Sequence, residues 1–239
     1  MKKKMIVTDL DGTLLREDKA VSERTTDVLY CCREAGIRII FATGRGENAN
    51  QVVPAGLFDG RIFNNGALAV AGNDVVYNRF LVPEIIEPLL AVCVEFGLEH
   101  GFSLHGSKAG KFWTFGCTPE ISALIEARLD DDFYLTVARD GLGQIMHKDA
   151  TKSKAVAALA EQWGITRSEI IAFGDDLNDM DMFSYAGLSV AMGNALDEVK
   201  AVTDHICDTN DNDGVAKWLE ENVLCDWYTE HQTQQRLIL

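Results

Sequence analysis

Hydrophobic positions fall along this chain in one rhythm at its two ends and in another between them. Apolar runs over 5–10 and 38–42, and a shorter one over 61–63, read as buried strands. Helical spacing over 22–35 separates the first two, with Ser22 placed as its N-cap and Gly36 at its C-terminal end. A further helical pattern opens near Asn48, after Thr43 and Gly44. Such alternation predicts a parallel sheet flanked by helices. A hairpin over 67–76 then changes the pattern to helix (84–96), strand (101–104), strand (112–115), helix (119–129), strand (133–137) and strand (143–147). Two successive αββ units predict an antiparallel sheet with helices on one face, an α+β insert of roughly 65 residues. The first rhythm resumes with helix 153–163, strand 169–173, helix 178–185, strand 188–191, helix 195–201, strand 205–207 and helix 214–222. The expected architecture is α/β, a doubly wound and mostly parallel sheet formed by 1–80 and 149–239, with a small α+β unit over 81–148. The polar tail from Cys225 is open between a frayed end and an oligomer contact, and the oligomeric state stays open with it.

Composition narrows the function. A chain of 239 residues, 47% of them hydrophobic, suffices for a sizeable core and a smaller second unit. Its 37 acidic against 22 basic side chains give a net charge of −15, which argues against nucleic acid and anionic membranes as partners. The apolar stretch after Lys2, Lys3 and Lys4 is broken at Asp9, too early for a signal peptide, and no membrane-length apolar run follows. A cytoplasmic protein is expected. Cys31, Cys32, Cys93, Cys117, Cys207 and Cys225 form no Cys-x-x-Cys pair and read as thiols.

Candidate chemistry gathers where core strands end. Asp9-Leu10-Asp11-Gly12-Thr13 sets two carboxylates two residues apart, on one strand face as the first apolar run ends; they repel unless a cation lies between them. Thr43 follows the second strand, Lys152 stands at a helix entry, and Gly174-Asp175-Asp176-Leu177-Asn178-Asp179 follows a third. Loops at the carboxyl ends of parallel strands converge in one crevice. Several carboxylates with backbone oxygens and water make the oxygen-only shell that Mg²⁺ prefers, with substrate phosphate completing it. The Thr43 hydroxyl and the Lys152 ammonium suit phosphate oxygens, and helix N-termini add N–H donors. This is the inventory of a phosphoryl-transfer site.

In this order, Asp-x-Asp-x-Thr, Thr43, Lys152 and Gly-Asp-x-x-Asn-Asp resemble the haloacid dehalogenase superfamily, and within it the Cof-type phosphatases, whose cap is inserted where the α+β unit falls here. Ala42-Thr43-Gly44-Arg45, Asn65-Gly66-Ala67 and Ala191-Met192-Gly193-Asn194-Ala195 extend the resemblance to essentially 5–222. The resemblance implies an Mg²⁺-dependent phosphatase, and the short insert suits a small phosphomonoester such as a sugar phosphate, a phosphorylated carboxylic acid or a nucleotide monophosphate. Asp9 is then the nucleophile that forms an aspartyl-phosphate, and Asp11 the general acid and later base. Asp9, the Asp11 carbonyl and Asp175 are implied metal ligands with Asp179 behind them; Thr43, Gly44, Arg45, Lys152 and Asn178 are implied phosphate or substrate contacts. Family spacing favours Lys152 over Lys148 and Lys154. The rival readings are a phosphomutase, which needs a bisphosphate activator, and a non-catalytic phospho-ligand sensor, which binds without turnover.

Other motifs compete less well. Gly44-Arg45-Gly46-Glu47-Asn48-Ala49 mimics a dinucleotide loop, but no acidic residue ends the next strand. The 208–214 run mimics an EF-hand but has Asp213 where glycine is required and Leu219 where the closing Glu belongs, so Asp213 is expected to cap the last helix instead. His105, Lys108, Lys111 and Trp113 are candidates to reach a leaving group, and inward-facing Lys108 and Lys111 favour an acidic one. His100, His147, His205 and His231 have no metal-like spacing.

Overall fold

A computed structural model of the chain describes residues 2–225; the tail beyond Cys225, with His231, lies outside the described residues. Strands β1 (Met5–Thr8), β2 (Arg38–Ala42) and β3 (Gly60–Phe63) are followed by β4 (Leu68–Ala71) and β5 (Asp74–Asn78), with helix α1 (Glu23–Glu34) between the first two. Helix α2 (Pro83–Phe96), β6 (His100–His105), β7 (Lys108–Thr114), α3 (Pro119–Glu126), β8 (Phe133–Val137) and β9 (Gly143–His147) form the αββ repeat. The chain continues through α4 (Lys152–Gln162), β10 (Ile170–Gly174), α5 (Met180–Tyr185), β11 (Leu188–Ala191), α6 (Asp197–Lys200), β12 (His205–Ile206) and α7 (Gly214–Asn222). No helix among the described residues is long and apolar enough to cross a membrane.

The large sheet runs β12-β11-β10-β1-β2-β3-β4-β5, parallel from β12 to β3 and antiparallel at β4 and β5. From β1 the chain steps one way through α1 to β2, and from β10 the other way through α5 to β11. Right-handed crossovers therefore put α1 and α5 on opposite faces and leave a switch point between β1 and β10. Burial on both faces explains why β1, up to its last residue Thr8, and β10 are apolar and lie fully inside.

The small sheet runs β6-β7-β9-β8, antiparallel throughout. Its apolar face, with Phe112, Phe133 and Ile145, packs on Ile85, Leu89 and Val92 of α2 and on Ile121 and Ile125 of α3, in a core of its own. Cross-strand partners share a face, so Ser103, Lys111, Trp113 and Gln144 stand together on the other side, away from both helices.

Several expected elements differ in extent: helix 119–129 ends at Glu126, and strand 112–115 begins earlier, at Lys108. The helical pattern near Asn48 is a single 3₁₀ turn, Glu47–Gln51. Val52 and Val53 resist continuation, and Pro54 brings no N–H to carry the hydrogen-bond ladder on. The expected helix over 195–201 shortens to α6, Asp197–Lys200.

A tight turn connects β3 to the functional end of the molecule. Asn64 and Asn65 are both left-handed (φ 51° and 53°), and Gly66 follows at φ 103°. A β-carbon on Gly66 would lie 2.1 Å from the Thr151 carbonyl oxygen, immediately before the Lys152 that opens α4. Gly66→Ala is therefore expected to cost about 2–4 kcal/mol, through the backbone angle and the clash together. Thermal melting checks this, and an unchanged Tm would contradict the packing described.

Candidate active site

Asp9 and Asp11 do not share a strand face. β1 ends at Thr8, and the two aspartates lie in the turn beyond it, where each meets a different cation. Lys152 donates from Nζ to Asp9 Oδ1 and to Asp179 Oδ1, both at 2.6 Å. All three are buried: Lys152 is 1% exposed, Asp179 0% and Asp9 5%. Arg45 forks onto Asp11, with Nε to Oδ2 and Nη2 to Oδ1 both at 2.6 Å, and the Lys19 ammonium lies 3.6 Å from Oδ1.

Both Asp179 oxygens are taken. Oδ1 accepts from Lys152, and Oδ2 accepts from the Asp175 and Asp176 backbone N–H groups at 2.9 and 3.2 Å. Asp179 thus holds the loop that presents Asp175. Thr13 donates to Asp175 Oδ1 at 2.6 Å. The second Asp175 oxygen packs against Gly12, where a β-carbon would stand 2.3 Å away; Gly12 also has φ +78°, so a side chain is excluded twice over. Asn194 fastens this turn by donating to the Gly12 carbonyl at 2.7 Å while accepting from the Asn210 N–H at 3.0 Å.

Carboxylate oxygens of Asp9, Asp175 and Asp179 lie within 4.8 Å of one another. Three carboxylates and one ammonium leave two uncompensated negative charges. Burial pushes Asp9 up to about 8, against the pull of Lys152 and with a further push from Asp179. Burial likewise pushes Asp175 up to about 6, opposed by the Thr13 hydrogen bond. Burial draws the Lys152 ammonium down, but Asp179 and Asp9 outweigh it and hold it above its ordinary value. Asp9 Oδ2 and Asp175 Oδ2 accept from no donor among the described residues. Two unclaimed hard oxygens beside a surplus of two negative charges fit a small divalent cation such as Mg²⁺. Asp179 has no oxygen to spare, so its place is behind such a shell.

Above these groups a cavity of about 450 Å³ is lined by Asp9, Asp11, Thr43, Arg45, Lys111 and Asn178, together with Gly44, Asn65, Leu142, Gln144 and Asp176. Thr43 is buried, and its hydroxyl oxygen accepts from the Arg45 N–H at 3.1 Å, which leaves the hydroxyl proton available. Asn178 is exposed and donates to Asn65 Oδ1 at 3.1 Å. The Arg45 fork draws the Asp11 carboxyl below its ordinary value.

Of the three lysines near the end of the small sheet, only Lys152 enters this site. Lys154 pairs with Asp149, and Lys148 is exposed. Of the four candidates in the small sheet, Lys111 alone lines the cavity, donating to the Gly44 carbonyl at 3.0 Å. His105 meets Glu47 at 2.9 Å, Lys108 lies over the Phe80 ring, and the Trp113 ring packs under Gly101. The 208–214 loop spends its carboxylates on protein donors: Asp208 on Lys217, Asp211 on the Glu17 N–H, and Asp213 on Arg16. Asp213 is left-handed at φ 56° and its side chain makes no capping hydrogen bond to α7, so the expected cap is replaced by a brace to Arg16. Thr13, Gln144 and Asn194 are site or bracing residues without a role in the sequence reading. The register that aligns Gln144 with Trp113 is a product of strand pairing.

Comparison with known proteins follows the same outline. A family model described as haloacid dehalogenase-like hydrolase matches residues 6–114 and 99–219. The 5-amino-6-(5-phospho-D-ribitylamino)uracil phosphatase YcsE of Bacillus subtilis is 27% identical over 92% of this chain and 96% of its own length. A phosphoglycolate phosphatase of Archaeoglobus fulgidus is 28% identical, over 92% and 96% respectively. The crystal structure of a haloacid dehalogenase-like hydrolase from Bacteroides thetaiotaomicron superposes with a TM-score of 0.81 at 26% identity, covering 92% of this chain and 99% of that one. Since the family model spans both arms of the large sheet as well as the small one, the chain belongs to the haloacid dehalogenase-like hydrolases.

Proposed function

We propose that this protein is an Mg²⁺-dependent phosphatase that hydrolyses a small phosphomonoester, a sugar phosphate or similar metabolite, through an aspartyl-phosphate on Asp9. The observation that carries the reading is the Lys152 bridge. By holding Asp9 Oδ1 and Asp179 Oδ1, it leaves Asp9 Oδ2 bare on a residue that lines the cavity. Relatives named as phosphatases of a phosphoribitylaminouracil and of phosphoglycolate support the same class. We divide the chain into a catalytic core, 1–80 with 149–239, and a cap, 81–148, whose helix-free face closes the cavity. The free thiols of Cys32, Cys93, Cys117 and Cys207 suit a reducing compartment, and we place the protein in the cytoplasm.

The reaction proceeds in two displacements. Asp9 Oδ2 attacks phosphorus; an Asp9 O–P bond forms, the ester P–O bond breaks, and Asp11 delivers a proton to the departing oxygen. Water then attacks the same phosphorus, Asp11 takes its proton, and phosphate leaves Asp9 as a free carboxylate. In the Arg45 fork Asp11 is ionised, so its work as an acid requires the fork to open and the carboxylate to take up from solvent the proton it then delivers. A phosphoryl dianion competes for Arg45 and opens it. Thr43 and Lys152 supply positive potential toward the phosphoryl oxygens. Asp9, Asp175 and the Asp11 carbonyl would hold Mg²⁺, which when bound withdraws charge from the phosphoryl oxygens.

The reading is tested by phosphate release from sugar phosphates, phospho-acids, nucleotides and p-nitrophenyl phosphate, with Mg²⁺ and with EDTA. Metal-dependent release is expected; none from folded, metal-loaded protein would favour a phosphomutase or a phospho-ligand sensor. Asp11→Asn should lower kcat by about 10²–10⁴-fold with the fold intact, and normal turnover would remove Asp11 from the mechanism.

Proton linkage gives a third prediction. Asp9 and Asp175, raised from 3.8 to about 8 and about 6, bind protons more tightly folded than unfolded. Their contribution therefore favours the metal-free fold at low pH and fades as pH rises through that window. Mg²⁺ needs both deprotonated, so the rise in Tm on adding it should grow between about pH 5 and about pH 8. A shift that is flat or shrinks with pH would contradict the assignment of these ligands.

A further inference from the structure

Every other cation at this site has a carboxylate partner. Lys152 holds Asp9 and Asp179, while Arg45 and Lys19 hold Asp11. Lys111 differs. It lines the same cavity from the small sheet, its one hydrogen bond goes to the neutral Gly44 carbonyl, and no carboxylate lies within 4.0 Å of it among the described residues. Burial alone pulls its ammonium below the ordinary value, with no anion to offset the cost.

Direction fixes what Lys111 serves. Asp9, Thr43 and Arg45 reach the cavity from the ends of β1 and β2, which is the phosphoryl side of the proposed reaction. Lys111 and Gln144 enter from the opposing sheet, on one face of neighbouring strands β7 and β9. The opposing side is where the leaving group lies. One ammonium beside one neutral amide matches a singly charged, planar acceptor; a second phosphate draws several cations instead.

We propose that the substrate's leaving group carries a carboxylate, received by Lys111 with Gln144 beside it, so that the preferred substrates are phosphorylated hydroxy-acids. This specificity rests on the phosphatase reading above. An anion there supplies the counter-charge that Lys111 lacks, and a neutral polyol leaves the ammonium desolvated and unpaired.

The test separates the two claims. Binding of 3-phosphonopropionate and of propylphosphonate to the Mg²⁺-loaded protein is measured by calorimetry, which needs no turnover, and p-nitrophenyl phosphate hydrolysis is followed in parallel. The carboxylate compound should bind about tenfold or more tightly than the alkyl compound, the size of one charge-assisted hydrogen bond. Lys111→Met, which keeps the alkyl stem, should erase that preference; Lys111→Arg should retain most of it. Equal affinities in the wild-type protein, or a preference that survives Lys111→Met, would overturn the proposal even if either variant folds poorly, because the wild-type ratio stands alone. Hydrolysis of p-nitrophenyl phosphate without a carboxylate preference would leave the phosphatase reading and remove this one. A carboxylate preference without hydrolysis would keep the carboxylate subsite at Lys111 and remove the phosphatase reading, and with it the claim that the bound acid is a substrate.

Discussion

The Lys152 ammonium, closed between Asp9 and Asp179, is the contact on which the rest of the site depends. It ties together three segments distant in sequence: the turn after β1, the first residue of α4, and the loop after β10. Such a bridge is a poor source of stability. Desolvating three charges costs several kcal/mol, and apolar residues of the same volume often fold as well. What it supplies is position. Asp9 has one oxygen bound and one bare, and Asp179, fixed by Lys152, grips two backbone N–H groups that set the path of the Asp175 loop.

Topology explains why these segments can meet. Opposite crossovers from the paired strands β1 and β10 leave a crevice beyond their carboxyl ends, and the loops there converge in it. The turn that carries Asp9 and Asp11 is also held from outside. Asn194 fixes the Gly12 carbonyl, Asn210 fixes the Leu15 carbonyl, and the Arg16–Asp213 fork anchors the exit of the loop. With all three carboxylates ionised, two negative charges remain in excess inside this frame, which a divalent cation or arriving protons must balance. The small sheet faces the same opening with Lys111 on Gly44 and His105 on Glu47, so the two sheets meet across the cavity rather than beside it.

Much of this was legible in the chain because strand ends announce themselves. The apolar runs 5–7 and 170–173 give way two residues on to the carboxylates Asp9 and Asp175, and two rhythms of periodicity separate the sheets. What escaped depends on pairing between distant segments. Nothing near Thr13 indicates that its hydroxyl meets Asp175, and nothing near Asp179 indicates that both its oxygens are consumed within the protein. The direction of Lys111 follows from the register of β6 and β7, which places it beside Ser103 and on the same face as Trp113. His105 and Lys108 lie only a few residues away, yet they end on Glu47 and Phe80 outside the cavity. Proximity in sequence marked the right strand, and only the register chose among its side chains. The 3₁₀ turn at Glu47–Gln51 carries a similar lesson: apolar spacing proposes a helix, and the Val52-Val53-Pro54 stop sets its length.

The proposed reaction rests on one bare oxygen of Asp9 acting as the phosphoryl acceptor. Rapid quenching of the Mg²⁺-loaded protein during turnover of a phosphomonoester, followed by peptide mass spectrometry, reads this directly. A phosphoryl adduct on the peptide carrying Asp9, mapped to Asp9 itself and absent from Asp9→Asn, is the predicted result. An adduct on a different residue, or burst-phase turnover with no adduct on the protein, would contradict it.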